Sequence, residues 1–310
     1  HMMRVSEIDT PKQNGIRASR GDRAFARVNY ILLTIFGLLV LYPLIYVVSA
    51  SISDPVAVNS GEMVLWPIGF NTKGYQAILS NSWVLTGYAN SLFYTVVGTV
   101  LNVLVTFMAA YSLSRKDMFG HGVITFIMIF TMWFGGGLIP TFLVVKSLGL
   151  VNTRAVLLIL GLISMYNCII CRSFISGSIP IELQEAARID GANDFQIVWK
   201  IIFPLSGPVL AILGLYYALG HWNGYYNALI YLNDRSLMPL QIFLREILIE
   251  NQTVSIPTDA EDLVAMVERT QMAQTMKYAL IVVASVPMLL IYPFVQKFFV
   301  KGVMIGSVKG

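Results

Sequence analysis

Eight side chains within twelve residues, Tyr216, Tyr217, His221, Trp222, Asn223, Tyr225, Tyr226 and Asn227, concentrate aromatic and hydrogen-bonding chemistry in an otherwise apolar stretch. At helical spacing Asn223 and Asn227 share one face, with Trp222 and Tyr226 beside it. Such a face can stack and hydrogen-bond, but it offers no nucleophile–base pair or metal cluster with which to break bonds. Polar groups inside an apolar span usually face a bundle interior or an aqueous cavity, so this face is read as a pathway wall. The competing reading is an interfacial belt of Trp and Tyr.

Other chemistry-bearing residues are sparse. Cys168 and Cys171 have the Cys-x-x-Cys spacing of redox and zinc sites. They lie in an apolar run with no second Cys or His pair, so they read as buried thiols. Asn90, Asn102 and Asn167 read as hydrogen-bonding glue between helices, and His121 as a surface residue at a helix start. No Gly-x-x-x-x-Gly-Lys-Ser/Thr occurs, so the chain lacks the usual cradle for nucleotide phosphates.

The elements that position these residues follow from composition. Of 310 residues only 12% are charged and 56% are hydrophobic, with a mean hydropathy of +0.69. A soluble domain carries about 25% charge. The balance excludes a soluble enzyme, a disordered chain and a disulfide scaffold, and it requires a polytopic membrane protein. His1-Met2 has the look of a tag remnant. Runs of about 20 apolar residues fall near 28–50, 88–113, 121–144, 155–175, 206–230 and 277–300, which predicts six transmembrane helices in an all-α protein. Gly135-Gly136-Gly137 and Pro140 should break the third. Irregular backbone at membrane depth needs protein or water around it, so that span should face other helices.

Lys and Arg mark the cytoplasmic side. They cluster before the first span (Arg4 to Arg27), between the second and third (Arg115, Lys116), between the fourth and fifth (Arg172, Arg188, Lys200) and in the tail (Lys297, Lys301, Lys309). Both termini are therefore expected in the cytoplasm, and the pI near 9.0 reports topology rather than nucleic-acid binding. The expected organisation is a basic arm over 1–27, a transmembrane domain over 28–300 and a tail over 301–310. Two segments on the outer side, 51–87 and 231–276, are long enough to be docking surfaces or lids.

The fourth-to-fifth connection, 178–204, reads as a cytoplasmic helix–turn–helix. Pro180 suits a first helical position, Gly191 a left-handed stop, and Asn193 with Gln196 a capping box opening a second helix that ends at Pro204. Leu183, Ala186, Ala187 and Ile189 should expose small or apolar side chains, with Glu185 and Asp190 as isolated carboxylates. Small residues admit a partner's backbone and a carboxylate can take its arginine. An amphipathic helix at the membrane surface would carry more basic residues than this one.

Glu185-Ala-Ala-x-x-Asp-Gly-Ala192, running on to Ile202-Phe-Pro-Leu205, resembles the EAA loop of ABC-importer permease subunits. The tail from Tyr292-Pro-Phe to Gly310, the Asp54-Pro55 segment and the Trp222-Asn223 pair are similar to the carbohydrate-uptake branch related to the maltose permeases, nearest its oligosaccharide and polysaccharide importers in Gram-positive bacteria. The resemblance covers essentially residues 25–310. The basic arm departs from the pattern.

The resemblance implies one half of a sugar pathway in a bacterial plasma membrane. It further implies a second related permease subunit, two ATPase subunits holding ATP and Mg, and an extracytoplasmic solute-binding protein. Glu185, with Ala186, Ala187, Asp190 and Gly191, would form the ATPase-coupling element, while Trp222, Asn223, Tyr226 and Asn227 would meet the sugar. The chain itself would be no enzyme and hold no metal or cofactor. The rival reading, an ion-coupled secondary transporter, would call for intramembrane carboxylates, and the six spans contain none.

Overall fold

The computed structural model describes residues 19–250 and 260–307. Among these the chain is built from helices: α1 Arg20–Ser51, α2 Pro55–Asn59, α3 Lys73–Ser80, α4 Ser82–Ser114, α5 His121–Trp133, α6 Leu138–Ser147, α7 Arg154–Ile159, α8 Met165–Ser178, α9 Ile181–Ile189, α10 Asp194–Ile197, α11 Phe203–Leu205, α12 Gly207–Asn223, α13 Tyr226–Tyr231, α14 Leu240–Glu250 and α15 Ala260–Ser307. A π-helical turn, Val198–Ile202, joins α10 to α11. The all-helical expectation holds. The count of spans is coarser than expected: among the described residues three helices are long and apolar enough to cross a bilayer, or up to five if each bent pair counts as one.

The departures have local causes. The third expected span is α5 and α6, bent by 116° at Gly135–Gly137, where Gly137 adopts φ +83°. Within this single chain α5 buries no side chain and Phe126, Trp133 and Ile139 are widely exposed, so any helices that cover this span come from outside the chain. The fourth is interrupted between α7 and α8 at Gly161, φ +78°. The fifth is bent by 78° at Ser206 and stops at Asn223. The first helix begins at Arg20 behind a Ser19–Asp22 capping box, so Arg20, Arg23 and Arg27 of the expected arm are helical. The rest of that arm, 1–18, lies outside the described residues. The 231–276 segment expected on the outer side is largely α14 and the start of α15, with 251–259 outside the described residues, and α15 continues into the expected tail.

At the centre stands α4, started by Asn81, whose side chain accepts from the amides of Trp83 and Val84. Its buried face runs Gly87, Asn90, Ser91, Tyr94, Thr95, Gly98, Asn102, Thr106, a small and polar stripe at helical spacing. Without a hydrophobic force between helices in lipid, small residues and hydrogen bonds hold them together, and α12 and α8 pack against this stripe. At one end of it Asn90 Nδ2 donates to the carbonyls of Ser236 (2.7 Å) and Met238 (3.0 Å), and Tyr94 Oη to that of Leu237 (2.8 Å). Asn90 thus serves as the glue expected of it, strapping the segment after α13 onto α4. Towards the other end of α4, Phe107, Leu113, Cys168, Cys171, Ile175, Ile197, Ile202 and Leu213 form an apolar cluster. Both cysteines are free and fully buried, as their bland reading required.

Candidate transport cavity and coupling helix

A cavity of about 450 Å³ opens between α4, the α7–α8 break and the α12–α13 junction. Tyr94, Asn102, Tyr216, Tyr217 and His221 line it, together with Asn223, Tyr226 and Asn227 from the expected face. Among the described residues that line it there is no Asp, Glu, Lys or Arg. The expectation of one continuous helical face is corrected: α12 ends at Asn223, and α13 begins at Tyr226. Gly224 allows the break, since a Cβ there would sit 3.0 Å from the Gly220 carbonyl oxygen. The two asparagines reach one cavity because the backbone turns between them.

Trp222 does not join them. It is 2% exposed, donates from Nε1 to the Ala284 carbonyl at 2.8 Å and meets Tyr88 edge-on at 5.6 Å between centroids. It packs among Ile78, Val84, Leu240 and Leu280. One residue's displacement on a helix is about 100° of rotation, which separates a wall residue from a core one.

Sequence reasoning passed over the wall residues Tyr94, Gly161 and, as a cavity residue, Asn102. The four-residue recurrence of small and polar types in α4 was the available signal for Tyr94 and Asn102. Gly161, inside an apolar run, was the signal for the break.

On the side of α4 away from Asn90, the loop 178–204 forms the expected helix–turn–helix. Pro180 is the N-cap residue rather than the first helical one. Gly191 adopts φ +83°, its amide donates to the Arg188 carbonyl at 3.0 Å, and the Ala192 amide donates to that of Ala187 at 2.9 Å. This is the paired closure that ends a helix in a left-handed residue. Asn193 and Gln196 exchange capping-box hydrogen bonds of 2.8 and 3.1 Å. The second helix passes Pro204 to Leu205 before the bend.

Glu185, Ala186, Asp190 and Gly191 are exposed, and Ile189 is 87% exposed beside them. Ala187 is corrected: it is buried in the apolar cluster and unavailable to a partner. Next to it Gln184 is buried, its Oε1 accepting from Arg115 Nη1 at 2.9 Å and from Tyr111 Oη at 3.4 Å. These bonds seat α9 on the loop after α4. His121 also belongs to that junction, with Nε2 3.0 Å from the Leu113 carbonyl oxygen rather than free at the surface.

Arg115 grips Asp117 with two hydrogen bonds of 2.8 and 2.6 Å, which lowers the Asp117 carboxyl to about 2. A lowered folded-state value means that the clasp contributes fully above the ordinary value, about 3.9, and fades as pH falls towards about 2. An Asp117→Asn variant should therefore differ from wild type in thermal stability at neutral pH, the gap closing only in strong acid. A gap that closed near pH 6 would contradict the clasp.

A polar cavity among bilayer-length helices places the chain in the class of membrane transporters. The chain belongs to the family of the binding-protein-dependent transport system inner membrane component, whose model matches residues 16–305. It is 40% identical over 289 residues to the polygalacturonan/rhamnogalacturonan transport system permease protein YtcP of Bacillus subtilis (strain 168), covering 93% of this chain and 99% of that protein. It is 37% identical to Protein LplC of the same organism, covering 94% and 97%. Among solved structures it is similar to a chain of a bacterial ABC transporter involved in the import of the acidic polysaccharide alginate. There the TM-score is 0.81 and the identity 39%, over 91% of this chain and 98% of that one.

The protein is thus the multi-pass permease subunit of an ABC importer, not an enzyme, and ATP hydrolysis belongs to a separate ATPase. The ion-coupled alternative is set aside. A solute-binding protein is the other partner that the family implies.

Proposed function

We propose that this chain forms half of the translocation pathway for an oligosaccharide. The carrying observation is the cavity: tyrosine rings and asparagine amides, with no charged side chain among the described lining residues. Pyranose rings have apolar faces for stacking and a polar rim for hydrogen bonds, which this combination suits. The relatives point the same way, since they are named for polygalacturonan, rhamnogalacturonan and alginate. For an acidic glycan of that kind, this wall would hold the rings and hydroxyls and leave the carboxylates to another surface.

A second related permease subunit is the natural other half. The exposed α5–α6 face supports it, because the irregular backbone at 134–137 would be left without partners in lipid. Two ATPase copies would sit on the cytoplasmic side, the side where the distribution of Lys and Arg would put both termini. Glu185, Ala186, Asp190 and Gly191 would form the contact with one of them, Glu185 accepting a basic side chain. Movement of the docked helix would then rock the spans between inward- and outward-facing states.

Uptake of labelled pectic oligosaccharides by the complete importer tests the cavity. Asn223→Ala and Tyr226→Ala are each expected to lower uptake about three- to tenfold, the worth of one lost hydrogen bond or stacking contact, while the ATPase still co-purifies. Uptake at wild-type rate in both variants would dismiss this wall.

A further inference from the structure

The break in the fourth span is held by side chains of α4 and α12. Between Ile159 and Met165 the chain leaves the helix, Gly161 turning through φ +78°. Two carbonyls freed there, those of Gly161 and Leu162, both accept from Asn102 Nδ2, at 3.0 and 2.7 Å. These bonds fix which end of the amide is nitrogen. Asn102 Oδ1 then faces His221 Nε2 at 2.6 Å, and because that oxygen can only accept, Nε2 carries the hydrogen.

His221 reaches this position because residue 98, one turn earlier on α4, has no side chain. A Cβ on Gly98 would collide with the His221 ring at Nε2. One turn further along both helices a second rung repeats the pattern. Tyr217 Oη lies 2.7 Å from Thr106 Oγ1 and accepts from the Ser164 amide at 3.1 Å. Asn102 and Thr106 on α4, with His221 and Tyr217 on α12, thus clamp both sides of the break.

The clamp also touches both functional regions. Asn102, Gly161, Tyr217 and His221 are part of the cavity wall. From the break α8 runs 14 residues without interruption, about 21 Å at 1.5 Å per residue. It is followed after Ile179 and Pro180 by α9, the helix carrying Glu185.

We infer that Asn102, positioned by His221 in the space left by Gly98, is the joint through which the cavity and the coupling helix sense each other. Movement of α9 is carried by α8 to the break, where it is opposed or permitted by whether the two carbonyls stay on Asn102. Asn102 and His221 are positioning residues in this scheme. It rests on the reading of α9 as the ATPase contact, and it adds where that motion enters the pathway.

Hydrogen exchange on the complete importer in nanodiscs, nucleotide-free and trapped with ATP and vanadate, tests it without a sugar. The peptide over 181–190 reports how α9 responds to nucleotide, and the Ser164 amide within 160–166, held by Tyr217 on the neighbouring rung, reports the break that Asn102 closes. In wild type both should change on trapping, the Ser164 amide by about tenfold, the scale of one hydrogen bond. His221→Leu and Gly98→Ala should abolish the change at 160–166 while keeping that at 181–190. His221→Gln, which retains a donor for Asn102, should preserve both, a rescue that a purely structural role would not produce.

A change at 181–190 with none at 160–166 in wild type would overturn the joint alone. So would variants that respond like wild type. No change at 181–190 would overturn the reading of α9 as the element that moves with the ATPase, and the joint with it.

Discussion

Replacing Glu185 with alanine is expected to weaken ATPase binding by roughly 30-fold or more, with the permease still present in the membrane at its normal level. Truncating one partner of a buried charged contact costs about 2–5 kcal/mol, and about 1.4 kcal/mol is a factor of ten. The same change costs the isolated subunit little. Glu185 is exposed, and surface substitutions of that kind stay within about 0.5 kcal/mol.

Gly191→Val should reach a similar outcome by another route. A Cβ at Gly191 would meet nothing within 4 Å, so the penalty lies in φ +83° itself. That is at least about 1–2 kcal/mol for a residue with a side chain. Moving Gly191 out of this conformation releases the Arg188 and Ala187 carbonyl bonds and swings α9 against the helix that follows. Titrating purified permease with its ATPase measures both variants. Normal retention and normal solute-stimulated hydrolysis in both would sink the coupling assignment.

Trp222→Ala is expected to be costly in the opposite sense, to the fold rather than to a partner. Removing a fully packed tryptophan costs about 3–5 kcal/mol, and here it also strips the Ala284 carbonyl of its indole donor and Tyr88 of its ring contact. The expected result is a marked fall in thermal stability and yield, with the solute concentration for half-maximal uptake unchanged in whatever complex survives. Asn223→Ala should show the reverse. A Trp222→Ala subunit of normal stability that transports with an altered solute preference would put the tryptophan back in the pathway.

How far such features could be read in advance depended on their range. The helix–turn–helix was legible because its signals are short: a proline at the start, Gly191 three residues past Arg188, and a capping pair three apart at Asn193 and Gln196. Each acts on backbone within one turn. The apolar spans were legible for the same reason, hydrophobicity being a property of each residue alone. Asn90 and Asn102 were readable as glue, since an amide in an apolar helix must find partners somewhere. Which partners they found was not readable, because those partners, Ser236 to Met238 and Gly161 with Leu162, lie 59 to 148 residues away.

By itself the sequence determined that this is a helical membrane protein, that residues 178–204 fold as a helix–turn–helix, and that the stretch from Tyr216 to Asn227 is where polarity concentrates. Only the tertiary structure decided which of those side chains meet the cavity. Asn223, Tyr226 and Asn227 line it, while Trp222, adjacent in sequence, is buried on α15. It also decided that Ala187 faces inward while Ala186 faces out. The physical reason is common to both cases. Composition sets how much a helix must bury, but the face it buries depends on the neighbouring helices, and α4 and α15 approach from distant parts of the chain.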